Sequence, residues 1–102
     1  MPPNSIKIIL ALAFALPSLA LADATKDDVA CAVAIRAEMA AAPKFRESGF
    51  SLYVFYMGRL SAEDDSIRWP PVIEGIVKNL GEKGRSATLL KTCTALFLSK
   101  TE

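Results

Sequence analysis

From Ile8 to Ala22 the chain is an uncharged run of Ile, Leu, Ala and Phe broken only by Pro17 and Ser18. At Asp23 it changes to mixed segments in which apolar residues recur at helical spacing. Between Lys26 and about Ala42, the residues Cys31, Ile35, Met39 and Ala42 are four or three apart, with Val29 and Val33 widening the apolar arc, and Pro43 ends the run. Thr25 and Asp28 have the spacing of a capping box at its start. After the link PKFRES, the stretch FSLYVFYMGRL places Phe50, Val54, Met57 and Leu60 on one helical stripe, with Leu52 and Tyr53 beside it. Its aromatic content also suits a strand, but a strand needs a partner and no second convincing strand pattern exists.

Two more helices follow. Ser61 to Ser66 is a polar break whose SAED offers another capping box. Trp69, Pro70 and Pro71 then open PPVIEGIVKNLG, in which Val72, Ile73, Ile76, Val77 and Leu80 form one face and Gly81 suits the C-terminal cap. EKGRS reads as a turn with a helix start at Ser86. Beyond it, Leu89, Leu90, Cys93, Leu96 and Phe97 make the most regular amphipathic pattern in the chain. The expected fold is all-α: a small bundle of about four helices.

The apolar run at the beginning changes the expected length and compartment. One lysine and the terminal amine precede it, and Ala20, Leu21 and Ala22 form an A-x-A cleavage site, so residues 1–22 read as a secretory signal peptide and 23–102 as a single domain. The run is shorter than the roughly 20 residues a membrane span needs, so no stable membrane anchor is expected. Cleavage after Ala24 satisfies the same small-residue rule. The expected location is periplasmic or secreted, where disulfides persist.

A domain of this size buries little more than half of its unfolded surface, which leaves it short of stability without a cross-link. Cys31 and Cys93, the only cysteines, stand near its two ends, and an even count in an exported chain argues that they pair. An intermolecular bridge is the competing reading. With Lys7 removed the basic and acidic residues balance, so there is no electrostatic case for nucleic acid.

Chemical motifs are missing. The chain has no histidine, no C-x-x-C, no calcium-loop spacing in SAEDDS and no phosphate-loop spacing in GEKGRS. Neither a metal, a cofactor nor a catalytic residue is therefore expected, and the chain reads as non-enzymatic. Without histidine, nothing is expected to titrate in the mildly acid range. FSLYVFYM carries apolar residues on more than one side of its helix, which one small core struggles to cover. Phe50, Tyr53, Phe55, Tyr56, Met57 and Arg59 are accordingly the candidate partner-binding residues, for a protein partner or a homodimer.

A helical exported chain with one cysteine in its first helix, one in its last and a Trp-Pro turn between them resembles the periplasmic acid-stress chaperones of Gram-negative bacteria. The likeness covers the architecture of residues 23–102. It implies a holdase, in which acid loosens a disulfide-tied bundle and bares apolar surface to unfolding clients. FYMGRL is also similar to stretches of small exported proteobacterial proteins, a likeness that implies no activity. The alternative expectation is a secreted inhibitor or effector that docks on another protein with Arg59 as its polar anchor.

Overall fold

The computed structural model describes residues 23–101. The expected signal peptide lies outside the described residues. The fold consists of α1 (Asp23–Ala41), α2 (Arg46–Glu63), α3 (Trp69–Leu80) and α4 (Ala87–Thr101), with 3₁₀ turns at Pro43–Phe45 and Gly81–Gly84. The described residues contain no strand, so the all-α bundle of four helices is the architecture.

Helix α1 runs through the middle. Its central stretch is buried on every side: Val29 to Ile35 without a break, then Ala37, with Arg36 the one partly exposed position. A helix that is apolar all round belongs inside. The alanines 30, 32, 34 and 37 make this possible, because a side chain of one carbon lets α2, α3 and α4 approach the same axis from three directions. The periodic stripe expected from the sequence is therefore only part of the buried surface, and Met39 at its end is half-buried. The helix also begins before the expected capping box, so Thr25 and Asp28 are buried helical residues rather than a cap.

Helix α2 is rotated from the expected stripe. Gly49, Leu52, Tyr56 and Leu60 face the core, while Phe50 and Val54 face outward at 59% and 51% exposure. Both sets keep helical spacing, so periodicity alone does not choose between them. Gly49 favours the observed rotation: a β-carbon there would come within 2.6 Å of both Met39 Cγ and the Phe45 ring. Only glycine lets this part of α2 lie so close to α1 and the preceding turn.

SAED closes α2 instead of opening a helix. Ser61 to Glu63 are its last residues, and Asp64 Oδ1 then accepts hydrogen bonds from the Ser66 amide, at 3.0 Å, and from the Ser66 hydroxyl. The buried Trp69 indole N–H donates to the Asp64 carbonyl at 3.0 Å, fastening this turn to the start of α3. Pro70 and Pro71 fill the first turn of α3, where missing N–H groups cost nothing. Ile73 and Ile76 face the core, and Gly81 takes a positive φ of 54° just past the helix end. Ser86 Oγ accepts the Leu89 N–H at 3.1 Å and so caps α4, at the position its sequence predicts.

Cys31 of α1 and Cys93 of α4 form the expected intrachain disulfide, with their Cα atoms 5.7 Å apart. The Tyr56 hydroxyl of α2 donates to the Cys93 carbonyl at 2.7 Å in the same buried region. Three helices are thereby joined at one level of the bundle.

Candidate functional site

The residues singled out in FSLYVFYMGR part company in the structure. Phe50 is on the outer face, and Tyr53 and Met57 are half-buried. Tyr56 is wholly buried: its ring fills the core and its hydroxyl is already bonded. Phe55 is half-buried, packed edge-to-face on Tyr56 at 5.0 Å and on Phe97 at 5.1 Å between ring centres. Arg59 is one-third exposed. Its Nε donates to Asp28 Oδ1 at 3.0 Å, and its guanidinium lies 5.7 Å above the Phe55 ring.

Tyr56 and Arg59 do share one feature, an open-sided cleft of about 380 Å³ between the beginning of α1, α2 and α4. Asp27, Asp28 and Ala30 come from α1, Tyr56 and Arg59 from α2, and Leu89, Thr92 and Leu96 from α4. The Cys31–Cys93 bridge lines it as well. Its volume is near the lower end of the roughly 300–1,000 Å³ of small-ligand pockets. A cleft of largely apolar lining with a few convergent polar groups is the form such sites take.

Asp28 is the unusual group. It is 2% exposed, and while Oδ1 accepts from Arg59, Oδ2 is buried without a hydrogen-bond partner. Buried carboxylate oxygens are normally satisfied, because leaving one unpaired forfeits its hydration with no return. Burial accordingly pushes the Asp28 carboxyl up from 3.8 to about 7. The neighbouring Glu63 carboxyl contributes to that rise, since adjacent carboxyls favour a shared proton, and Arg59 opposes both. The absence of histidine thus does not remove titration from the mildly acid range. Asp28 supplies it, through burial that composition does not reveal. Tyr56, desolvated and close to Asp28, is pushed up to about 12 and remains a neutral donor.

The sequence did contain a signal for Asp28. Residues 28, 31, 32 and 35 lie at i, i+3, i+4 and i+7, so Asp28 occupies the same buried stripe as Cys31 and Ile35. A carboxylate on an apolar stripe calls for a partner. Arg59 and Glu63 continue the buried line of Leu52 and Tyr56 on α2, and that register brings them to Asp28.

No family model, curated protein or solved structure matches the chain. Among the described residues no group of acids, cysteines or histidines is arranged to hold a metal ion, and no helix is long and apolar enough to cross a membrane. The arrangement offers binding chemistry: one buried half-satisfied carboxyl, one guanidinium and an apolar wall.

Proposed function

We propose that this chain is an exported, non-enzymatic helical protein of the periplasm or external medium that binds another protein through the cleft at Asp28 and Arg59. The observation that carries this reading is the cleft itself, a largely apolar hollow of about 380 Å³ lined by Arg59, which is one-third exposed and, among the described residues, donates only through Nε, to Asp28. The intrachain disulfide supports the compartment, since such bonds persist outside the cytosol.

A holdase is the second reading, favoured by the outward-facing Phe50, Val54 and Leu98, each more than half exposed. In this form the apolar surface is available in the folded state. At Asp28 itself mild acid does not loosen the fold, because a buried carboxyl that takes up a proton near neutrality is relieved by mild acid rather than strained by it.

Native oxidised protein, cross-linked in its own compartment and purified, separates the readings. One stoichiometric protein cross-linked at residues lining the cleft is the expected result. Many partners attached around Phe50 and Val54, with suppression of client aggregation, would favour the holdase. Recovery of the chain alone, together with no effect on client aggregation, would refute both.

A further inference from the structure

We infer that the cleft takes the end of the partner's polypeptide chain, with its terminal carboxylate on the Arg59 guanidinium and its last side chain, an apolar one, against Leu89, Leu96 and the disulfide. This deepens the partner-binding reading above and rests on it.

The hydrogen-bond donors of the cleft select an anion. The Tyr56 hydroxyl is spent on the Cys93 carbonyl at 2.7 Å, and the Thr92 hydroxyl on the Thr88 carbonyl at 3.2 Å. Arg59 gives its Nε to Asp28 Oδ1 at 3.0 Å, while its Nη1 and Nη2 groups, on a side chain one-third exposed, meet no acceptor among the described residues. The side-chain donors left over in the cleft therefore all belong to one planar group. Stacking over Phe55 at 5.7 Å holds that plane without using its N–H groups, so its outer edge is fixed and open. Two coplanar N–H groups match the two oxygens of a carboxylate.

The hollow beside Arg59 decides what carries the carboxylate. Ala30, Leu89, Leu96 and the Cys31–Cys93 bridge make it largely apolar, and about 380 Å³ is more room than the short stem of an aspartate or glutamate side chain fills. A chain end carries its carboxylate beside a whole side chain. One terminal residue thus reaches Arg59 and covers the apolar wall together.

The charges around Arg59 make this pairing depend on a proton. From α1 come Asp28, on the Arg59 Nε, and the exposed Asp27; from α2 comes Glu63, one turn beyond Arg59 and beside Asp28 but outside the lining. The lining residues of α4 carry no charge, and α3 contributes none. Asp27 stands in water, which screens it. An ionised Asp28 cancels the guanidinium charge that an incoming carboxylate needs, whereas a protonated Asp28 leaves that charge to the cleft. Burial places this carboxyl at about 7, so the cleft becomes receptive as pH falls through neutrality.

The test follows backbone amide shifts of the oxidised protein at about pH 6 with four probes. They are an N-acetylated peptide of two glycines and a terminal leucine, the same peptide amidated at its end, an amidated peptide whose only carboxylate is a glutamate side chain, and hexanoate. The free-ended leucine peptide should move the amides around Ala30, Arg59 and Leu96 at millimolar concentration. Both amidated peptides should leave them in place, and hexanoate should bind more weakly. Arg59→Gln should weaken the free-ended peptide about thirtyfold, as loss of a hydrogen-bonded charge pair does. Raising the pH from about 6 to about 8 should weaken wild-type binding about tenfold, the fall in the neutral fraction of a group titrating near 7. Asp28→Asn keeps an oxygen for Arg59 and has no charge to cancel it, so at about pH 8 it should bind as tightly as wild type does at about pH 6. The pH arm stands even where a variant does not fold. Equal shifts from an amidated peptide, equal or tighter binding of hexanoate, no shifts at millimolar free-ended peptide, or affinity that is constant or rises with pH would each overturn the inference. A partner cross-linked at the cleft separates the two levels: a short glycine-serine tail added to its chain end should release it. Binding that survives the tail refutes the chain end while leaving partner binding intact, and absence of any partner refutes the reading beneath it.

Discussion

The buried Asp28 carboxyl has a direct consequence for folding stability, which Asp28→Asn isolates. Its value is about 7 in the folded chain and 3.8 when exposed. Between these values the folded state holds a proton that the unfolded state has released, so the stability this group contributes is fully present below about 4 and is lost as pH rises towards 7. Integrated from about pH 5 to about pH 8, the loss is about 2 to 3 kcal/mol, a large part of the roughly 5–15 kcal/mol that holds a small domain. Urea unfolding of the oxidised protein at both pH values measures it. Wild type should be more stable at the acid end by that amount, and Asp28→Asn should be nearly flat, because asparagine fills the same space without a proton to exchange. Arg59 then loses its counter-charge, but it is one-third exposed and water replaces part of the loss. Wild-type stability that is constant or rises from acid to neutral pH, or a variant with the same slope as wild type, would refute the placement of Asp28 as a buried half-paired carboxyl.

Other consequences can be measured on the same protein. Reducing the Cys31–Cys93 bridge, which closes a separation of 62 residues, should cost about 4 kcal/mol of chain-entropy stabilisation, read as a fall in urea midpoint with added reductant. Tyr56→Phe removes the hydroxyl that donates to the Cys93 carbonyl at 2.7 Å and should destabilise by about 1 to 2 kcal/mol in thermal unfolding with little change in helical content. The glycines in helix α2 should respond in opposite directions. Gly58→Ala meets nothing within 4 Å and should stabilise by about 0.5 to 1 kcal/mol, whereas Gly49→Ala collides with Met39 and Phe45 and should destabilise by about 1 kcal/mol or more. Equal effects of these two alanines in paired melts would contradict the close contact of α1 and α2.

Much of this protein was legible in its residue order, because the signals concerned are local. Pro43, Pro70 with Pro71, Gly81 and Ser86 act within a few residues of where they stand, through a missing N–H, a permitted positive φ or a hydroxyl in reach of an amide, and each marks a helix boundary in the fold. The disulfide was legible too, since two cysteines on apolar faces of the first and last helices had only each other within the chain. What tertiary structure alone decided was orientation. Helical spacing offered α2 two faces of similar character, and only contact with α1 turned Gly49, Leu52, Tyr56 and Leu60 inward and left Phe50 and Val54 outside. Composition assigned Asp28 an ordinary acid's behaviour, but the approach of α2 and α4 removed its water and supplied Arg59 for only one of its two oxygens. Desolvation depends on how many neighbours crowd a group, and those neighbours come from segments some 30 to 60 residues away. The candidate site therefore came into existence when the helices packed.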